Sequence, residues 1–242
     1  MDDIRRGAGS QGNALTPRER FGRSMHYQNV DYISHLEFGY WDELKEDWLS
    51  QGHLPAEFRQ ANGSIPDHLV EEFFGVEQFD GFGPRLGAYP LRPVEIVERS
   101  ATHVVYRDGL GVQREEAIEG TRTIPHFIEF PIKDRATWRT FRDEFLNVEH
   151  PARQLSEDEL RAGARRCRES TNPVATSFGS FIGWIRDWVG FQNLAYLSVD
   201  DPDLVEEMVA HLANMALTLL PAVLAQGTFD AAGGWEDICF NS

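Results

Sequence analysis

Three stretches decide the fold class: Val174-Ala175-Thr176-Ser177-Phe178-Gly179-Ser180, then Asp201-Pro202-Asp203, then Phe229-Asp230-Ala231-Ala232-Gly233-Gly234-Trp235-Glu236-Asp237. Asn172-Pro173 stops any helix arriving from upstream, because proline lacks an amide N–H and clashes with the preceding turn. The first stretch then reads as a buried strand. Asp201 caps a long helix with Pro202 at its first position, and Glu206 and Glu207 sit where the helix dipole favours negative charge. Leu204, Met208, Leu212, Met215 and Leu219 recur at helical spacing and form its apolar face. The third stretch reads as a second strand approaching a loop. Strand, helix and strand in this order predict an α/β protein with parallel strands, since only a crossover lets neighbouring strands run the same way.

Upstream, Thr16-Pro17-Arg18-Glu19-Arg20 is a helix start, with Thr16 as N-cap and Glu19 completing a capping box. Residues 1–15, rich in Gly, Ser and Asn, read as loose. The apolar run from Tyr32 to Tyr40 reads as a strand. Residues 42–90 mix short helical pieces with breaks, the clearest at Gly81-Phe82-Gly83-Pro84. Within 92–118, Val94, Ile96, Val104 and Tyr106 alternate with polar residues around Asp108-Gly109, which predicts a small antiparallel meander. Trp138, Phe141 and Phe145 follow at helical spacing, and Ser156-Glu157-Asp158-Glu159 is a second capping box, ahead of Leu160, Ala164 and Cys167.

Composition narrows the function classes. The 242 residues carry 23 Lys+Arg against 39 Asp+Glu, a formal net charge of −16. That balance argues against nucleic acid, whose binding needs a cationic surface to release counterions. With 41% apolar residues, 16 Phe and 6 Trp, the chain has the apolar surface that disordered segments lack. Cys167 and Cys239 form no disulfide framework and no C-x-x-C pair, so a reducing compartment is expected. Met1-Asp2-Asp3-Ile4-Arg5-Arg6 contains no apolar signal core. The longest greasy run, Ala216 to Ala225, is interrupted by Pro221 and falls short of the ~20 residues of a membrane span. The expected setting is cytoplasmic. Ile238-Cys239-Phe240-Asn241-Ser242 supplies no helix to cover the last strand, which a doubly buried parallel strand requires, so the sequence reads as cut short.

Several segments, in their joint order, resemble the uroporphyrinogen decarboxylase superfamily. They are Thr16-Pro17-Arg18-Glu19-Arg20-Phe21 with His26-Tyr27-Gln28-Asn29-Val30-Asp31, Asp108-Gly109-Leu110-Gly111, and Phe130-Pro131-Ile132-Lys133-Asp134 with Trp138. Gly179-Ser180-Phe181-Ile182-Gly183-Trp184, Asp201-Pro202-Asp203-Leu204-Val205 and Trp235-Glu236-Asp237 continue the series. The resemblance implies a TIM-type (β/α)8 barrel. It would be one domain over 1–242, C-terminally truncated, holding only the N-terminal strands and the antiparallel meander as an insertion. Two departures favour the corrinoid-linked methyltransferase branch over the true decarboxylase. Glu37-Phe38-Gly39-Tyr40-Trp41-Asp42-Glu43 stands where the decarboxylase carries an arginine-rich motif, and an acidic wall repels a substrate bearing many carboxylates. The decarboxylase's Phe-Ser-Asp segment is also not seen.

That branch implies zinc held by a His-x-Cys pair and a later Cys, thiolate-rich coordination that suits this metal. No stretch of the chain matches this set, so the ligands are expected beyond residue 242 and none is assigned within it. A corrinoid on a partner protein and a small-molecule substrate complete the implied machinery. The alternative is decarboxylation of an acetate-bearing tetrapyrrole, without a cofactor. A further alternative is a non-catalytic barrel that binds a corrinoid protein.

The candidate site residues each have two readings. His35 and Glu37, two apart on a strand, share a face and form either a substrate-binding pair or a structural hydrogen-bonded one. Glu236 and Asp237 end the last strand, where barrel enzymes place catalytic groups. They are general acids or bases, or carboxylates anchoring a loop through backbone N–H groups. Phe181, Trp184 and Arg186 line a pocket for a flat ligand with an anionic group, or they pack a strand to a helix with Arg186 paired to Asp187. His53, His68, His103 and His126 lack metal-ligand spacing.

Overall fold

A computed structural model describes residues 14–118, 124–227 and 229–236. Residues 1–13, Asp237 and Cys239 lie outside the described residues, so the readings placed on them are not tested. The described residues fall into two compact units. One is drawn from Met1–Phe82, Gly163–Thr176 and Gly227–Ala231, the other from Gly83–Ala162, Ser177–Gln226 and Ala232–Ser242.

The first unit opens on α1 (Pro17–Met25), whose N-terminus carries the expected box: Glu19 N–H donates to Thr16 Oγ1 at 3.2 Å and Thr16 N–H donates to Glu19 Oε2 at 2.9 Å. These bonds hold the Glu19 carboxyl below its usual range. Then come α2 (Asp42–Ser50), α3 (Asp67–Phe74) and the two-residue strand β1 (Asp80–Gly81). Leu54, Ile65 and Val70 form a small core under Tyr40, Trp48, Leu49 and Phe58. Lys45, 5% exposed, reaches the Ile65 carbonyl and the carboxylates of Asp42 and Asp67, so its buried charge is paired.

A second polar centre ties α1 to the segment that follows. Arg20 is 2% exposed. Its guanidinium donates to both Asp31 oxygens, to Glu77 Oε1 and to the Leu15 carbonyl, and lies 3.7 Å from the Tyr32 ring centroid. The hydrogen bonds from Arg20 pull the Asp31 carboxyl far below its usual range. Nothing in local spacing announces this centre, because Arg20 and Glu77 are 57 residues apart.

The second unit contains the larger core. The sheet β2 (Glu95–Arg99), β3 (His103–Arg107), β4 (Gln113–Ala117) and β5 (His126–Glu129) is antiparallel in chain order, so the meander stretch gains a fourth strand. Helix α4 (Arg135–Phe145) begins at a capping box of Asp134 and Thr137, which the sequence reading did not identify. Along the chain follow α5 (Glu157–Glu169) and β6 (Val174–Gly179), each divided between the two units, then α6 (Ile182–Val189), α7 (Phe191–Asp200) and α8 (Pro202–Leu224) of the second unit, and β7 (Ala231–Gly234), whose first residue belongs to the first unit. Trp138, Phe141 and Phe145 of α4 pack with Ile185, Trp188 and Val189 of α6 and with Leu204, Met208, Leu212 and Met215 of α8. Each such side chain contributes about 1.5–3 kcal/mol on removal from water.

By length and composition α8 is apolar enough to cross a membrane, with a mean hydropathy of 1.4 over its best 18 residues. The sequence reading missed this because it counted only the uninterrupted run. The face built from Leu204, Met208, Leu212 and Met215 is spent on the core, as in a core helix.

The barrel expectation is overturned. The described residues give a three-stranded parallel sheet, in the order β1-β6-β7, and a separate four-stranded antiparallel sheet, with no repeating β/α pattern. A barrel needs successive parallel strands joined by helices. Here four of the seven named strands are hydrogen-bonded to one another as hairpins. The strand expected over Tyr32–Tyr40 is reduced to one isolated parallel bridge, Leu36 to Glu77, since a single bridge builds no ladder. Within the stretch read as a strand approaching a loop, the strand covers Ala231–Gly234.

His211 on α8 offers a pH test. Its Nε2 lies 3.0 Å from the Leu146 carbonyl, and burial, with Arg142 and Arg153 nearby, pushes its pKa below the ordinary 6.5. The unfolded chain then binds the proton more readily, so His211 favours the folded state fully above that value. The contribution is lost as pH falls from 6.5 through the lowered folded pKa. Urea midpoints from about pH 8 to 5 are expected to drop more steeply in the wild type than in His211→Gln. Parallel curves would refute this.

Candidate functional site

The carboxyl ends of β6 and β7 within the second unit bring four of the sequence-flagged residues together: Phe181, Trp184, Arg186 and Glu236. In open α/β sheets this edge is where ligands bind. The junction begins at Gly179, where φ is +84°. A Cβ there would lie 2.3 Å from the Trp184 indole. Glycine thus supplies both the left-handed turn and the space for the ring. The fully buried Ser180 follows, and its Oγ accepts the Trp184 N–H at 3.2 Å.

Glu236 closes the junction. Its Oε1 accepts from Phe181 N–H at 2.5 Å and from Ile182 N–H at 3.3 Å, and its Oε2 accepts from Gly183 N–H at 2.8 Å. These donors open α6, where backbone amides have no helical partners and the dipole favours an anion. Of the two readings of this carboxylate, the geometry matches the loop anchor: both oxygens are engaged by main-chain donors. Trp235 packs beside it, and a Cβ on Gly183 would meet its ring at 2.5 Å. The sequence sets Trp235 beside Glu236 without showing what its ring meets. The small residue that admits its ring, Gly183, stands far upstream in the chain, so local spacing carried no signal of the contact.

Arg186 lies 5.9 Å from the Trp235 ring centroid, and its Nη2 donates to Asp187 Oδ1 at 2.9 Å. Phe181 stacks on Phe178 with centroids 6.0 Å apart, and Trp184 on Trp188 at 6.2 Å. The resulting edge offers aromatic faces, one partly neutralised guanidinium and a carboxylate committed to the backbone. It can hold a flat or apolar molecule and present a cation to an anionic group.

His35 and Glu37 belong to the first unit. They do meet: His35 Nε2 lies 3.1 Å from Glu37 Oε1, with both side chains open to solvent. Asp237 lies outside the described residues.

The zinc implied by the resemblance was expected to take ligands beyond residue 242. Among the described residues no group of three or more His, Cys, Asp or Glu is placed to hold a metal ion. Cys167 is buried, and the histidines are scattered between the units. No zinc is assigned to these residues, and no step is drawn through one.

No protein-family model, curated protein or solved structure matches the chain.

Proposed function

We propose that the chain acts on a small molecule held at the carboxyl ends of β6 and β7, and that the activity is methyl transfer with a corrinoid as the other substrate. The proposal includes kinship with the uroporphyrinogen decarboxylase superfamily, carried by the ordered segments of the sequence. It does not use the barrel. The observation that carries it is the junction itself: Glu236 holds the start of α6 against the end of β7, setting Phe181, Trp235 and Arg186 at one edge.

On this reading the residues bind and orient. Phe181 and Trp235 offer flat apolar surface that excludes water from one side of the ligand, which strengthens polar contacts on the other. Arg186, paired with Asp187, meets an anionic or carbonyl group with a charge-assisted hydrogen bond. Glu236 keeps the frame rigid without exchanging protons. We place the activity in the cytoplasm, in keeping with the buried free thiol of Cys167.

Decarboxylation of a tetrapyrrole is the second reading, favoured by one feature, the Arg186 guanidinium at this edge as a carboxylate clamp. The same assay separates them. The protein is incubated with methylcobalamin and a thiol, and separately with uroporphyrinogen. Formation of methyl thioether supports the first reading, and carbon dioxide release replaces it with the second. Quenching of tryptophan fluorescence by a corrinoid protein without turnover would leave a binding role only and refute both.

A further inference from the structure

We propose that a cavity of about 160 Å³ on the face of α4 is a binding site for a neutral single-ring aromatic of the phenol class. It lies wholly within the second unit, and its lining comes from α4 together with Arg92, Leu110 and Pro131. Phe141, Phe145, Leu110 and Pro131 make it apolar, and Arg92 and Glu144 stand among its polar groups. An enclosed apolar cavity of roughly 150 Å³ accepts one benzene ring; this one opens to solvent, and its volume matches a single ring.

The walls are set before any ligand arrives. Asp108 Oδ1 accepts the N–H groups of Leu110 at 2.9 Å and Val112 at 3.0 Å, which locks the turn that carries Leu110. Arg92 N–H donates to the Gly109 carbonyl at 2.9 Å, and any Cβ at Gly109 would come within 2.7 Å of the Arg92 carbonyl oxygen. The Arg92 guanidinium lies 5.1 Å from the Phe145 ring centroid and pairs with both oxygens of Glu144, at 2.6 Å for Nε to Oε1.

Charge then decides the ligand's chemistry. The ion pair is internally neutral, so a charged ligand gains no net attraction and loses its hydration. A carboxylate already bonded to arginine keeps lone pairs free, so Glu144 can accept a phenolic O–H while the ring enters the apolar part. The site is independent of the β6 and β7 edge and of the activity proposed there.

Calorimetric titration of the whole chain with phenol tests this, with benzoate and benzylammonium as charged counterparts. Saturable one-to-one binding of phenol is expected, with the two ions at least about tenfold weaker. Thr140 is an exposed lining residue, so Thr140→Trp covers the cavity and should abolish binding, whereas Thr140→Ser should retain it, both with unchanged circular dichroism. The proposal is overturned if phenol does not saturate, if Thr140→Trp binds as the wild type does, or if benzoate binds equally well.

Discussion

Arg153→Ala is expected to destabilise the protein by about 3–5 kcal/mol, since buried carbonyls that lose their donor cost about 1–3 kcal/mol each. The side chain is 1% exposed and faces main-chain carbonyls instead of an acid. Nε donates to Asn147, Nη1 to both Arg85 and Gly87 at 2.7 Å, and Nη2 to Phe145 at 2.5 Å. One guanidinium thus joins the chain before the meander to the end of α4. Burial lowers its pKa from the ordinary value. Truncation strips the Arg85 and Gly87 carbonyls of this donor, while the Phe145 and Asn147 carbonyls keep the N–H groups of Tyr89 and His150. Arg153→Lys should recover little, since an ammonium lacks the planar fork that reaches carbonyls on several sides. The urea midpoint at constant slope measures the effect. A loss under about 1 kcal/mol would show that the carbonyls find other donors.

Glu236→Ala should cost about 2–3 kcal/mol, because it removes charge-assisted bonds to three backbone amides at once. Its signature is local. The amides of Phe181, Ile182 and Gly183 should lose hydrogen-exchange protection before the rest of α6 does. Glu236→Gln separates an anchor from a proton-transfer group. A glutamine carbonyl still accepts from part of the amide set, so an anchor keeps more than about a tenth of the activity. Loss of a general acid or base costs roughly 10²–10⁴-fold. Full inactivation of Glu236→Gln with unchanged stability would restore the catalytic reading.

These two residues differ in how far the sequence announced them. Glu236 was legible as important, since it ends a strand at the edge where α/β proteins place their chemistry. Its role was not. A carboxylate after a strand has the same local pattern whether it meets a substrate or three amides. Arg153 carried no local signal, because its acceptors are carbonyls at Arg85, Gly87, Phe145 and Asn147, and a carbonyl has no side-chain identity to recognise. The Arg20, Asp31 and Glu77 centre escaped for a related reason: its members are ordinary surface residue types until the chain returns from 57 residues away.

What the amino-acid order determined by itself was local. The capping boxes at Thr16 and Ser156 and the apolar face of α8 follow from hydrogen bonds and periodicities spanning a few residues. Hairpin alternation around Asp108-Gly109 is of the same kind. Tertiary structure decided how strands pair, and it put four of the named strands into an antiparallel sheet of their own and left Leu36 a single bridge. Pairing joins residues far apart in the chain, and its free energy depends on which partner arrives. That is why the barrel implied by the resemblance is not what the described residues form, and why the anchoring of α6 by Glu236 emerged only with the folded chain.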